Sequence, residues 1–395
     1  MPSALEVLFW IAVVLIAWTQ VGYALVIALL SRLFSAGDVA QAPQASGAHA
    51  VRQTQTNPNV SLIVAAHDEE SVIGAKVMNA LALEYPRELL ELIVACDGCS
   101  DATAARAREA GADLVLELPR GGKIVAQDAA VQRSRGEIVA FSDANALWAP
   151  DALRELVAAF VDPRVGYACG RVRFVRNSAP PVGGGANQEG VYWGYEMTLR
   201  ARESRLYSIT AGNGAIYATR RESYIVVDPV MGHDLSFPFN MVKRGWRAVE
   251  APGATASEKM VPSIEGEWRR KRRMMSHTWP IVLRGGMLSP NGYPAGYALM
   301  ILSHRLLRYL LPFLHVLALA CNVALVALGA GGMYAVTLAL QLALLLAAGL
   351  APLVPARLLL IARYYVLTAA SPAAGLWDWL RHGTQASWQA AEGTR

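Results

Sequence analysis

The sequence predicts an α/β domain with a parallel sheet, held by one N-terminal and about three C-terminal transmembrane helices. Three observations carry that reading. Short apolar runs, the first of them β-branched and charge-free, alternate with helical segments in the middle of the chain. Long apolar runs sit at both ends. Of 395 residues, 17% are charged and 54% hydrophobic, with a mean hydropathy of +0.29, against about 25% charged in an ordinary soluble domain. This composition argues against a disordered chain, a nucleic-acid-binding tail or a wholly soluble protein.

Leu5–Leu30 has Glu6 as its one charge and is long enough to cross a ~30 Å hydrocarbon core as a helix. No Lys or Arg precedes it and no small-x-small site follows, which argues against a cleaved signal peptide. Arg32 and Arg52 follow it, and Arg305 and Arg308 stand at the entrance of the second apolar block. The positive-inside rule then puts the N-terminus outside and the middle domain in the cytoplasm. The second block breaks at Gly329–Gly332 and Pro352–Pro355 into Leu307–Leu328, Met333–Leu350 and Leu358–Leu376. Arg363 and Pro372 interrupt the last, which can be a span, tilted or not, a re-entrant segment or an interfacial helix. The expected division is an anchor over 1–33, a linker over 34–58 and a globular domain over 59–275. An interfacial segment over 276–305, membrane segments over 306–380 and a tail over 381–395 follow. Cys96, Cys99, Cys169 and Cys321 are too few for a disulfide framework, and Cys96-x-x-Cys99 has no second pair at zinc spacing.

Within the domain, Val60–Ala66 reads as a buried parallel strand and Ser71–Leu83 as a helix, with Val72, Ile73, Val77 and Leu81 on its apolar face. Leu89–Cys96 is a second strand, Asp101–Ala110 a helix, Asp113–Leu116 a third strand, Lys123–Arg133 a helix and Glu137–Ser142 a fourth strand. Such alternation implies right-handed βαβ units, whose ligands bind beyond the carboxyl ends of the strands. Those ends are acidic: Asp68, Glu69 and Glu70; then Asp97 and Asp101; then Asp143 with Asn145. Clustered carboxylates repel unless a cation or a donor-rich ligand joins them, and Mg²⁺ takes such oxygens together with phosphates. Each can instead cap the helix that follows, the reading we favour for Asp101. Arg120-Gly121-Gly122-Lys123 adds a cation at a helix start without being a Walker A loop, and Gly183–Gly185 reads as a flexible loop.

Strand–AAHDEE, strand–DGCSD, RGGK and strand–SDAN together resemble the nucleotide-sugar half of family-2 glycosyltransferases with a GT-A fold, a Rossmann-like mixed sheet. Glu189–Glu196 (EGVYWGYE), Ala211–Glu222 (AGNGAIYATRRE), Gly232–Asp234 (GHD), a basic segment and Ser303–Arg308 (SHRLLR) follow in the order of that family. The resemblance covers nearly the whole chain. The chain is similar to membrane-bound bacterial members that build polysaccharides or glycolipids of the cell envelope.

The resemblance implies a nucleotide-sugar site at Ala66, Glu69, Asp97, Lys123, Asp143, Arg270 and Arg273, with Asp97 reading the base and Glu69 near the ribose. It implies Mg²⁺ or Mn²⁺ at Asp143 and Asn145, where many members have Asp at the latter position. Asp234 resembles the catalytic base, although it can also simply cap the helix Leu235–Lys243. Tyr192, Trp193, Asn213, Gly214 and His233 are the acceptor-side candidates. Tyr192, Trp193 and Tyr195 can equally be aromatic core, and His233 can be a bland core histidine.

Arg270 and Arg273 share a helix face at i, i+3. They can meet a diphosphate or belong to a purely topological basic anchor beside anionic lipid. The Q-x-x-R-W motif of processive synthases is missing from this segment.

The expected activity is thus an inverting, metal-dependent transfer from a nucleotide sugar, UDP-linked by expectation, to a lipid-linked or polysaccharide acceptor. The expected setting is the cytoplasmic face of a bacterial inner membrane, with membrane lipid and no nucleic acid as partner. A processive synthase with coupled export, a transporter or scaffold with a nucleotide-sensing domain, and a nucleotidyltransferase are the competing readings. Few ionisable groups in the apolar spans disfavour the transporter, and Asp234 with the acceptor-side motifs disfavours the nucleotidyltransferase.

Overall fold

The computed structural model describes residues 3–34, 57–175, 185–259, 261, 263–354, 356–384 and 386, without the side chains of 185–192. Most of the 34–58 linker, Gly183 and Gly184 of the glycine loop, the Tyr192 side chain and most of the 381–395 tail lie outside the described residues.

Helix α1, Ala4–Leu33, is the N-terminal anchor, with one π turn at Trp18–Gly22. Ser3 caps it through a reciprocal box with Glu6. Strand β1 is Val60–Ala66, as the charge-free run predicts, and every residue in it is buried. Helix α2 (Ile73–Leu81), β2 (Leu90–Asp97), α3 (Thr103–Glu109), β3 (Leu114–Leu118), α4 (Lys123–Arg133) and β4 (Ile138–Asp143) follow within a few residues of expectation. β1 pairs parallel to both β2 and β4, and β2 parallel to β3. Alternate strand residues feed two cores, Leu62, Val64, Leu92 and Val94 on one face and Ile63, Ile93, Val139 and Phe141 on the other.

The second half is β5 (Leu147–Trp148), α5 (Ala152–Ala158), β6 (Val165–Val175), α6 (Gly185–Leu206), β7 (Tyr217–Arg220), α7 (His233–Lys243) and β8 (Arg247–Lys259). The sheet has eight strands in the order β3-β2-β1-β4-β7-β6-β8-β5. β7 runs antiparallel to both β4 and β6. The sheet is therefore mixed, as the resemblance implies, rather than all parallel, as strand–helix alternation alone suggests. Alternation stops reporting strand direction once the connections become long and irregular.

Four helices follow among the described residues. α8 (Ile264–Leu283) carries the basic segment and is capped by Ser263, which accepts from Gly266 N–H. α9 (Ala295–Ala327) contains a π turn at Ile301–Leu306, and α10 (Gly332–Leu350) and α11 (Arg357–His382) come after it. α1, α9, α10 and α11 are long and apolar enough to cross a membrane, with mean hydropathies of 2.2, 2.2, 2.0 and 1.2 over their best windows. At the end of this bundle far from the sheet, Tyr334 donates to Glu6 at 3.3 Å and stacks edge-on against Phe9. At the near end, Tyr23 donates to Glu203 of α6 at 2.6 Å.

Candidate active site

The acidic strand ends meet where the sheet is covered by the R-G-G-K turn. Lys123, the first residue of α4, forms a hydrogen-bonded ion pair with Asp143 at the end of β4. Burial works to discharge the ammonium, but the Asp143 carboxylate outweighs it and holds the Lys123 pKa above its ordinary value. Gly214, in the turn before β7, passes directly over this pair. A Cβ there would lie 3.0 Å from Lys123 Nζ and 3.4 Å from Asp143 Oδ2.

Asp234 is the second residue of α7, behind the Gly232 N-cap, and its carboxylate accepts from Leu235 N–H at 3.0 Å. Gly212 N–H donates to the Asp234 carbonyl at 2.7 Å and so ties the A-G-N-G turn to this helix start. A Cβ at Gly212 would fall 2.0 Å from the Tyr167 hydroxyl, so the turn needs glycine. Burial raises the Asp234 pKa above the ordinary carboxylate value, opposed by Lys123 and the Leu235 amide and reinforced by Asp143. A carboxylate with a raised pKa, facing a cavity, is suited to take a proton.

Several of the expected ligand-contacting residues also make close contacts within the fold. Asp97 is 1% exposed, and its carboxylate accepts from Gly121 N–H at 2.6 Å and Gly122 N–H at 3.0 Å. The R-G-G-K turn thus closes over Asp97, and φ is +97° at Gly122, where only glycine is at ease. Asp97 thus anchors the turn from beneath. Ala66 is fully buried and its carbonyl accepts from the Cys99 thiol.

The Asn213 amide donates to the Gly170 carbonyl and accepts from Ala215 and Ile216 N–H. The His233 ring lies 4.1 Å from Phe237 in an aromatic cluster, and its Nδ1 meets the Tyr217 hydroxyl at 2.8 Å. Burial, helped by Lys123, pulls its pKa down to about 3. It is a neutral core histidine behind Asp234. Asp101 accepts from the N–H of Thr103, the first residue of α3, while Ala102 is the N-cap.

One cavity of about 1320 Å³ is lined by most of the candidates: Glu69, Lys123, Asp143, Asn145, Trp193, Asn213, Gly214, His233, Asp234, Arg270 and Arg273. Trp193 borders it with its indole N–H fixed on the Val172 carbonyl at 2.8 Å. Two residues that the motifs do not mark also line it. Glu258, near the end of β8, is raised to about 7 by burial and by the Asp143 charge. Glu267 accepts a two-pronged contact from Arg270 at 2.9 and 3.0 Å and binds Lys271 at 3.0 Å. A charge at the last turn of a strand is the one signal that could have flagged Glu258. Asp143, Asn145 and Glu258 offer hard oxygen donors to one cavity, the kind of donor set that suits a divalent cation.

Toward the membrane, the cavity wall is a buried charge network. Glu196 of α6 receives Arg308 at 2.6 Å, Arg305 at 3.0 Å and His304 at 3.2 Å. Burial would raise the Glu196 pKa, but these three groups hold it well below its ordinary value. Glu203, two turns along α6, accepts from His304 and Tyr23 at 2.6 Å each. Beyond this network the same cavity is lined by Leu311 of α9 and by Leu360, Ile361, Tyr364 and Tyr365 of α11.

The sequence model of the family described as "Glycosyltransferase like family 2" matches residues 58–276. A β-monoglucosyldiacylglycerol synthase of Synechocystis is 26% identical over 277 residues, 65% of this chain and 55% of its own length. A namesake from Trichormus variabilis is 37% identical over 116 residues, 28% of this chain and 25% of its own. The chain thus spans little more than half of one relative and a quarter of the other. Among solved structures, a mannosyltransferase from Pyrobaculum calidifontis in complex with GDP-Man and Mn²⁺ shares the fold at a TM-score of 0.67 and 23% identity. That match covers 95% of this chain and 99% of the other. With the family's sequence model matched from the start of β1 to the middle of α8, the chain is an enzyme of glycosyltransferase family 2.

Proposed function

We propose that the protein is an inverting, metal-dependent glycosyltransferase that moves a sugar from a nucleotide sugar, UDP-linked in our reading, onto a lipid acceptor. It works at the membrane face that carries its sheet, the cytoplasmic face of a bacterial inner membrane. The observation that carries the lipid acceptor is the single cavity shared by Asp143 and Asp234 with the apolar residues Leu311, Leu360 and Ile361 of the membrane-side helices. The names of the relatives, synthases of a glucosyl lipid, support the same reading.

The chemistry follows from the placement. The acceptor hydroxyl loses its proton to the Asp234 carboxylate as its oxygen bonds to the anomeric carbon. The bond from that carbon to the diphosphate breaks on the opposite face, and the electron pair leaves with the diphosphate, so configuration inverts. Lys123, Arg270 and Arg273 are among the cations lining this cavity and can receive the leaving charge. A cation held by Asp143, Asn145 and Glu258 would supply further Lewis-acid neutralisation of the diphosphate.

The deciding experiment incubates membranes holding the protein with a panel of radiolabelled nucleotide sugars. Label in the organic-extractable fraction supports the proposal. Label in insoluble polymer would replace the lipid acceptor by a growing polysaccharide.

A further inference from the structure

We infer that α11 does not cross the bilayer but lies in the plane of its interface, on the face that carries the catalytic domain, with its outer side against lipid. The contacts of its two ends carry this. Near its start, Arg363 bonds Glu265 of α8 at 3.0 Å, and Arg357 borders the reaction cavity. Near its end, Asp378 makes a two-pronged contact with Arg272 of α8, both bonds 2.6 Å. Just past its end, Thr384 donates to the Ser276 carbonyl of α8 at 2.8 Å. Ala386 then reaches the R-G-G-K turn, where a Cβ on Gly122 would lie 2.2 Å from its carbonyl oxygen.

A helix of this length would span ~30 Å only if its ends parted to opposite faces. Instead both ends return to one charged helix and to the sheet domain. The middle is held as closely: a Cβ on Gly375 would fall 2.4 Å from that of Met275, and Trp279 donates to the Pro372 carbonyl at 2.8 Å. The stretch of α8 so followed, Glu265–Arg273, carries seven charged residues among its nine and cannot enter hydrocarbon.

The bilayer is the partner that fits the uncovered side. Leu358, Trp377 and Leu380 are 79%, 58% and 68% exposed and continue the apolar surface of α9 and α10. Arg357 at one end and Arg381 with His382 at the other suit the headgroup layer. The helix then forms the membrane-side wall of the cavity through Leu360, Tyr364 and Tyr365, and the chain crosses three times, by α1, α9 and α10.

The test is maleimide labelling in sealed vesicles of one orientation, with a membrane-impermeant reagent and full-length Arg357→Cys, Arg381→Cys, Val161→Cys and Leu328→Cys proteins. The unsubstituted chain sets the background from its own cysteines. Residues 357 and 381, both at the headgroup layer, should label from the side that labels 161, at several-fold above background, and 328 from the other side. Labelling of 381 from the side of 328 would overturn the proposal. Trypsin acting on unsubstituted protein gives a second reading. Loss of the residues after Arg381, seen by mass, is expected from the catalytic face, and loss from the opposite face alone would also overturn it. Neither readout depends on sugar transfer, so the result stands apart from the assignment of donor and acceptor.

Discussion

The two walls of the reaction cavity are fixed by different means. On the donor side, carboxylates at strand ends are held by backbone N–H groups, and glycines let turns pass within contact distance of them, as at Gly122 over Asp97 and Gly214 over Lys123 and Asp143. On the membrane side, long side chains from α6, α8 and α9 are held by one another, as in Glu196 with Arg305 and Arg308 and Glu267 with Arg270. A backbone-fixed wall survives the loss of one side chain. A wall of mutually paired buried charges does not, because each loss strands its partner.

The sharpest way to separate the walls starts where they meet. Asp234→Asn should lower sugar transfer by about 10²–10⁴-fold, the usual worth of a positioned base, while binding of the nucleotide persists. Transfer assays and nucleotide titration of the same preparation check it, and retained transfer would remove Asp234 as the base. The pH profile follows from the raised pKa of this group. Activity needs the carboxylate, so the acid limb of the rate should lie above the ordinary aspartate value of about 3.9. Stability runs the other way. A carboxyl whose folded pKa is raised adds stability below its unfolded pKa and loses it as pH rises through the folded value. At neutral pH the ionised Asp234 is a cost, and Asp234→Asn should unfold at a higher temperature than the parent.

On the membrane wall, Glu196→Gln strands Arg305 and Arg308 in a buried network. It should destabilise the protein by about 3–5 kcal/mol, the range for breaking a buried pair from one side. Thermal unfolding in detergent measures this. Arg308→Met should cost less, because Arg305 and His304 still face Glu196. Equal losses for the two would mean that the network does not share its charge. On the donor wall, Asp143→Ala should leave the fold intact and lower transfer by about 10²–10³-fold, as when one electrostatic group is removed from a leaving-group site. It should also abolish the dependence of nucleotide binding on added Mg²⁺ or Mn²⁺. Unchanged metal dependence would place that site elsewhere.

The same contrast governs what the sequence discloses. β1 and α4 are legible to the residue because their signals are local, a charge-free β-branched run and a helix opening after two glycines. Lys123, Asp143 and Asp234 are legible as polar residues at two helix starts and a strand end. What escapes is the identity of the group facing each one. Asp97 and Asn213 stand in ligand-like positions, and nearby amides and carbonyls also bond them. Glu258 reaches Asp143 from a strand more than a hundred residues away. Glu196 and Glu203 sit seven apart on α6, a visible spacing, but their cations come from α9 and their phenol from α1. No window of the chain contains both halves of such a pair.

The smallest effect tests whether burial, rather than charge pairing as such, sets the difference between the walls. Glu265 and Arg363 form an ion pair of ordinary length, 3.0 Å, but the Glu265 side chain is 60% exposed. Water already solvates that carboxylate, and ordering two long side chains costs entropy, so an exposed pair is worth about 0–1 kcal/mol. Salt screens what remains. Glu265→Gln should therefore leave thermal unfolding close to the parent, and raising the salt concentration should shrink even that difference. The comparison with Glu196→Gln is direct, because both remove one carboxylate from an arginine. If Glu265→Gln were to destabilise as strongly, the hold of α8 on α11 would rest on its rim, not on the close contact of Gly375 with Met275.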